Sequence, residues 1–191
     1  MLSEEILAAI VQRVFIECKS TLLAESAQHQ AADLVATCLE LREQMRPCLD
    51  SLDASTFVPK PNRQPGEEAG WTAGEIVSTN SDRLVWALTE AAFTIGLQGD
   101  DLPPTPQLVV DNAAYQPKLL DRNIAFEVLP AATSYFKLVF PLLLSVDCGQ
   151  TAARTHHGPM SLKSWLLLIC IHDDDHLRQL RTRAEATPTG L

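Results

Sequence analysis

The sequence predicts an all-α protein, an up-down-type four-helix bundle of antiparallel helices with one additional helix at the N-terminal end. Long segments carry apolar residues at intervals of three and four, which is the period of one face of an α-helix. Loops rich in proline and glycine separate these segments. The chain has 191 residues, of which 46% are hydrophobic, so it can form one domain, residues 1–191, with a substantial core.

The first two helices are predicted over residues 3–24 and 26–52. In the first, Leu7 and Leu22 belong to a helical apolar stripe. The second has the most regular stripe in the chain, as expected of a helix in a bundle. Pro47 is expected to kink or end it. The stripe residues are Ala31, Leu34, Cys38, Leu41, Met45, Cys48 and Leu52.

The third helix is predicted to begin after a loop at residues 54–70 and to end near Leu97. Thr72 and Glu75 have the spacing of a capping box, in which the N-cap hydroxyl and the carboxylate three residues later bind each other's backbone N–H groups. A second loop, residues 99–117, contains Pro103, Pro104 and Pro106. Long loops of this kind are often functional.

The fourth helix is predicted over residues 120–146, with a strand at Tyr135–Val146 as the weaker alternative. Pro130 and Pro141 are expected to break or kink it. A loop is predicted at Cys148–Pro159, followed by a last helix that Ser161 caps and that ends near Ala184. The predicted buried face of the fourth helix is Ile124, Val128, Ala131, Tyr135, Leu138, Leu142 and Ser145.

Charge and cysteine content indicate the compartment and exclude some partners. The formal net charge is −9, which argues against binding nucleic acid or an anionic membrane surface. The five cysteines form no Cys-x-x-Cys pair and are typical of reduced thiols in a cytoplasmic protein. The N-terminal segment is acidic, unlike a signal peptide, and Pro141 interrupts the most apolar run, so no membrane span is expected.

The strongest chemical signal in the chain is the pair His172 and His176. Residues four apart on a helix lie on one face, and this face also carries Trp165 and Ile169, so both imidazoles are expected to point toward the core. Two aligned imidazoles are half or more of a transition-metal site. The alternative is a pair of core histidines that bind Thr79, Asn80 or water through hydrogen bonds.

Two further motifs stand at the starts of the third and last predicted helices. The first is Gly70-Trp71-Thr72-Ala73-Gly74-Glu75-Ile76-Val77. The second is Gly158-Pro159-Met160-Ser161-Leu162-Lys163-Ser164-Trp165-Leu166, followed by His172-x-x-x-His176-Leu177-x-Gln179-Leu180. Both motifs resemble those of the DinB/YfiT-like superfamily. The resemblance covers about residues 26–182 and leaves residues 1–24 as an extra helix.

This resemblance implies a four-helix bundle, often a dimer, with a divalent metal held by three histidines, one from the second bundle helix and two from the last. Characterised members include thiol-dependent S-transferases and a mycothiol-dependent maleylpyruvate isomerase. His172 and His176 match the two ligands of the last helix. Thr79 stands at the usual position of the third, so binding of zinc or nickel is expected to be weak or absent. Glu75, Asp82, His156 or His157 could replace the missing ligand.

The sequence leaves two hypotheses for function. The first is a divalent-metal-dependent enzyme of the thiol-transferase type, acting on a small molecule. The second is a catalytically degenerate bundle that binds a small ligand or serves as a dimeric interaction module. A homodimer is expected because the extra first helix and the 26–52 stripe supply more apolar surface than four helices need.

The three aspartates between the histidines also have two interpretations. Asp173, Asp174 and Asp175 could accept hydrogen bonds from the imidazoles and orient them. The simpler interpretation is a solvated outer face, with Asp174 paired with Arg178 one turn later.

Overall fold

The computed structural model describes residues 1–60, 68–107, 117–155 and 158–186. The protein is mostly helical, so the all-α prediction is confirmed. The helices are α1 (Glu4–Val11), α2 (Leu22–Ala27), α3 (Ala31–Asp50), α4 (Ala73–Thr94), α5 (Arg122–Val146) and α6 (Leu162–Ala186). A π-helical segment at Gln12–Ile16 continues α1, and short 3₁₀ turns lie at Ala54–Phe57, Glu68–Gly70 and Gly99–Asp101.

The N-terminal segment is broken, so the prediction of one helix over residues 3–24 is wrong. Cys18 has a positive φ of 51°, which a helix does not contain. Thr21 then caps α2 by accepting a hydrogen bond from the backbone N–H of Ala24. Across the break, Nε and Nη2 of Arg13 donate to the two carboxylate oxygens of Glu25, at 2.9 and 2.7 Å. Apolar spacing does not reveal such a local break.

Prolines do not end the long helices. α3 begins at Ala31 rather than at residue 26, because α2 occupies the preceding residues, and it continues through Pro47. α5 continues through Pro130 and Pro141 and contains no strand. All three prolines are exposed, so water can bind the carbonyl groups that lose their N–H partner.

The four long helices pack in the order α3, α6, α4, α5, with α5 returning to α3. Hydrogen bonds join Cys170 to Leu34 and Arg181 to Gln44, so α3 and α6 run parallel. The bond from Trp165 to Thr94 joins the start of α6 to the end of α4, so α4 and α6 are antiparallel.

α5 is antiparallel to α3. Arg122, at the start of α5, binds Asp50 at the end of α3, and Thr133, in the middle of α5, binds Arg42 farther back in α3. α4 and α5 therefore run parallel, and the expected bundle of uniformly antiparallel helices is wrong in this respect. Long connections permit this arrangement, whereas short loops would force successive helices to be antiparallel neighbours.

A β-hairpin replaces the loop predicted at Cys148–Pro159. Strands β1 (Ala152–Thr155) and β2 (Gly158–Met160) pair antiparallel and lead directly into α6. Gly158 has a φ of +79°, a conformation that favours glycine at the turn.

The face of α5 that enters the core differs in part from the predicted one. Val128 and Tyr135 are buried as predicted, but Leu138 and Leu142 are exposed. Phe136, Val139, Phe140 and Leu143 are buried instead. By length and composition, α5 is the one helix in the described part of the chain that could cross a membrane, contrary to the expectation that Pro141 would prevent it. Nearly half of its most apolar window is buried inside the protein, and core helices of soluble proteins pass the same test.

Candidate functional site

The site lies where the first half of α4 meets the second half of α6. The predicted capping box is confirmed: the Thr72 hydroxyl accepts from the Glu75 backbone N–H at 3.1 Å, and the Glu75 carboxylate accepts from the Thr72 backbone N–H at 2.8 Å. Arg183 of α6 donates two hydrogen bonds to the Trp71 carbonyl oxygen, at 3.1 and 2.7 Å. These contacts fix Trp71 at the edge of the site.

Glycine at position 74 is required where α4 begins. A Cβ atom there would lie 1.9 Å from the backbone oxygen of Leu120. The chain entering α5 can therefore pass directly against the first turn of α4.

Trp165 sets the position of α6 against α4. Its ring is fully buried, as predicted, and its Nε1 donates to the Thr94 hydroxyl at 3.0 Å. The ring also meets Trp86 edge to face, with 5.3 Å between ring centroids. Cys170 lies on another side of α6, where its Sγ faces the Leu34 carbonyl of α3 at 3.2 Å.

His172 and His176 come together as their spacing predicts. Their Nε2 atoms lie 3.2 Å apart and their rings are perpendicular. Two nitrogens bound to one tetrahedral zinc ion at about 2.0–2.1 Å would be separated by about 3.3 Å. The same distance also suits a hydrogen bond from one neutral imidazole to the other.

Burial favours the neutral form of both imidazoles. Burial, followed by the neighbouring His176 and the positive charges of Arg83 and Arg42, lowers the pKa of His172 well below its ordinary value. Burial also lowers the pKa of His176, although Gln179 and nearby carboxylates oppose the change. A metal ion binds the neutral form of imidazole, so the lowered pKa of each histidine favours metal binding.

Gln179 determines which nitrogen of His176 carries hydrogen. The amide nitrogen of Gln179 donates to two carboxylates, Glu68 at 3.3 Å and Asp175 at 3.0 Å. The amide oxygen of Gln179 is therefore the atom that faces His176 Nδ1, at 3.2 Å. Nδ1 of His176 must therefore donate. In a neutral imidazole this leaves a lone pair on Nε2, the atom that faces His172.

A second group of possible metal ligands shares His176. Single ligand atoms of Glu68, Asp175 and His176 lie within 4.8 Å of one another, so these residues could hold a metal ion. The amide of Gln179 already bridges their polar atoms. A cation at this position would have to displace that amide, whose NH₂ group repels it.

A cavity of about 320 Å³ adjoins the histidine pair. The residues that line it are Thr79 and Arg83 of α4, Trp71 just before the N-cap of α4, and Leu168 and His172 of α6. Thr79 therefore faces the cavity together with His172, at the position where the resemblance places a third ligand. Within the described chain, its buried hydroxyl oxygen has no hydrogen-bond partner.

Of the suggested replacement ligands that the structure describes, neither Glu75 nor Asp82 joins the histidine pair. Glu75 is engaged in the capping box. Asp82 is absent from both the cavity wall and the possible metal group. His156 and His157 lie outside the described residues. The carboxylates that do approach His176 are Glu68 and Asp175. In the sequence, Asp175 stands next to His176, but nothing marks Glu68 as a neighbour of the site.

Asp173 is a core residue, so the prediction of a solvated outer face is wrong for it. Its side chain is 1% exposed and accepts from Arg42 at 3.1 Å, from Asn80 at 2.6 Å and from Cys38 Sγ at 3.4 Å. Burial raises its pKa, while the charge of Arg42 opposes that change. Asp173 thus anchors α6 instead of orienting an imidazole.

The other two aspartates behave differently from each other. Asp174 is also buried, so the predicted solvated face is wrong for it too, although it forms the predicted ion pair with Arg178. Asp175 is exposed and binds Gln179, so it acts on His176 through that amide.

Comparison of the chain with protein families, with curated proteins and with solved structures finds no match in any of the three. The functional interpretation therefore depends on the motif residues and on the geometry of the site.

Proposed function

We propose that the chain is a DinB-like bundle that holds a divalent metal ion between His172 and His176 and acts on a small molecule bound in the adjoining cavity, as a metal-dependent enzyme of the thiol-transferase type. The central support is the pair of Nε2 atoms 3.2 Å apart, at the spacing of two ligands of one ion. When bound, such an ion supplies Lewis acidity, which lowers the pKa of a bound thiol or water.

The surroundings of the pair support a ligand role. Gln179 holds the hydrogen of His176 on Nδ1 and directs the lone pair of Nε2 at His172. Metal sites commonly use a hydrogen bond of this kind to orient a histidine ligand. Metal binding at both Nε2 atoms then requires His172 to carry its hydrogen on Nδ1.

Thr79 favours a second candidate, a non-catalytic bundle that binds a small ligand. A neutral hydroxyl is a poor ligand for a divalent ion, so the protein offers two strong donors where catalytic zinc sites use three. In this case His172 donates its Nε2 hydrogen to His176, and the cavity alone carries the function. The predicted homodimer is compatible with either candidate and stays a prediction.

Zinc titration of the full chain tests the metal site. We expect weak binding of one zinc ion per chain at neutral pH, and loss of that binding in His172→Ala and in His176→Ala, because each change removes one of two ligands. Isothermal titration calorimetry at pH 7 measures it. His29→Ala, which changes a half-buried histidine on the segment between α2 and α3, serves as the matched control and should bind as the parent does.

Two results would count against the proposal. Equal binding by His172→Ala and the parent would place the ion elsewhere, with the Glu68–Asp175–His176 group as the first alternative. Absence of binding in every protein would leave the second candidate.

A further inference from the structure

We propose that Glu68 supplies the third protein ligand of the ion held by His172 and His176. The inference rests on the proposed function, which supplies the ion and its two histidine ligands, and it adds the residue that completes the set. Thr79 stands where the resemblance places a third histidine, and its hydroxyl is a poor ligand. Two histidines and a glutamate are one of the ligand sets of catalytic zinc sites, and this set leaves one position for water or substrate.

The backbone of Glu68 is held beside His176. The Glu68 carbonyl oxygen accepts a hydrogen bond from the Trp71 backbone N–H at 3.0 Å, which closes the 3₁₀ turn Glu68–Gly70. Trp71 is bound to α6 in turn, because its carbonyl oxygen accepts from Arg183 and its ring centroid lies 6.1 Å from that of His176. The turn is therefore fixed next to the helix that carries both histidines.

Glu68 also lines the cavity, together with His172 and Thr79. Among the residues that the structure describes, the cavity wall carries two carboxylates, those of Glu68 and Asp173. Both oxygens of Asp173 already accept hydrogen bonds from core residues of α3 and α4. Glu68 is therefore the carboxylate of this wall that is left for an ion at the histidine pair.

The Glu68 side chain is close to the pair and free to turn toward it. One of its carboxylate oxygens lies within 4.8 Å of a ring nitrogen of His176. The side chain is exposed, and the hydrogen bond that it accepts from Gln179 is long, at 3.3 Å. When Glu68 turns to the ion, Gln179 keeps its bond to Asp175 at 3.0 Å and still holds the hydrogen of His176 on Nδ1.

A carboxylate also balances the charge of the ion. Imidazole ligands bind in their neutral form, so two histidines alone leave the full double charge of the ion in a partly enclosed site. The negative charge of Glu68 offsets part of it. Ordering an exposed side chain and losing the Gln179 bond oppose this gain, so Glu68 should contribute less affinity than a fixed third histidine.

Calorimetric titration of the full chain with zinc at pH 7 tests the role of Glu68. We expect Glu68→Gln to weaken zinc binding by about tenfold, because the amide keeps the shape of the side chain but loses its charge. Glu127→Gln is the matched control, since Glu127 is an exposed glutamate of α5 outside the cavity wall, and it should bind zinc as the parent does. Cobalt gives a second readout: the visible absorption spectrum of the bound cobalt ion should change in Glu68→Gln and stay unchanged in Glu127→Gln.

Asp175→Asn distinguishes this arrangement from an ion held by Glu68, Asp175 and His176. In our proposal Asp175 binds Gln179 and does not contact the ion. Asp175→Asn should therefore lose less zinc affinity than Glu68→Gln does.

The same titrations show which part of the account fails. Equal zinc affinity of Glu68→Gln and Glu127→Gln would overturn this inference, and the proposed function would survive if His172→Ala still lost binding. Equal losses in Glu68→Gln and Asp175→Asn, with no loss in His172→Ala, would overturn both, because the ion would then lie outside the histidine pair.

Discussion

Replacement of Arg42 by methionine is expected to lower the free energy of unfolding by about 3–5 kcal/mol at pH 7. The guanidinium of Arg42, on α3, donates to Asn80 of α4 at 2.8 Å, to Thr133 of α5 at 2.9 Å and to Asp173 of α6 at 3.1 Å. One buried side chain thus joins all four long helices. Its loss leaves the Asp173 carboxylate buried without its counter-charge.

The loss of stability should depend on pH. Burial already raises the folded-state pKa of Asp173 above its ordinary value, and removal of Arg42 raises it further. A carboxyl group whose pKa is higher in the folded state than in the unfolded state favours folding below the unfolded-state pKa, and this contribution is lost as pH rises through the folded-state pKa. The deficit of Arg42→Met should therefore be smaller at pH 5 than at pH 7.

Urea denaturation followed by circular dichroism measures both effects. The double variant Arg42→Met/Asp173→Asn removes both charges and should recover part of the stability, because no charge stays buried alone. Arg122→Met removes an exposed arginine and should change stability by less than about 1 kcal/mol. A deficit below that value for Arg42→Met, or one independent of pH, would contradict this account of the core.

Replacement of Thr79 by histidine is expected to raise zinc affinity by roughly 100-fold or more. Thr79 and His172 line the same cavity, so an imidazole on α4 would add a third nitrogen to the two that α6 already holds. The two helices are fixed by packing, so little further ordering opposes the new bond. Calorimetric titration at pH 7 measures the change.

Thr89→His is the matched control for this substitution. Thr89 lies on the same helix, is half-buried and donates to the Val85 carbonyl, but it does not line the cavity. Its replacement should leave zinc affinity unchanged. If both variants bind zinc equally, the geometric relation between Thr79 and the histidine pair is wrong.

The start of α4 and the histidine pair could be predicted from the sequence because local rules determine them. The capping box depends on residues three apart, and the approach of His172 to His176 depends on one turn of one helix. The resemblance added Thr79 as the residue facing them. All of this information lies within short stretches of chain.

The remaining features depend on contacts between distant segments. The burial of Asp173 requires Arg42 from another helix, and a run of aspartates otherwise indicates solvent. The core face of α5 could not be read because apolar residues surround that helix on several sides, so no single stripe stands out. The role of Glu68 likewise depends on the contact between its 3₁₀ turn, Glu68–Gly70, and Gln179 of α6.

The most direct test of the metal site is nitrogen-15 NMR of the histidine side chains, recorded before and after addition of zinc. Before zinc, His176 should carry its hydrogen on Nδ1, because Gln179 accepts from that atom. After zinc, the Nε2 signals of both His172 and His176 should move to the range of metal-bound imidazole. Unchanged Nε2 signals at excess zinc, or coordination of His176 through Nδ1, would contradict an ion held between the two histidines.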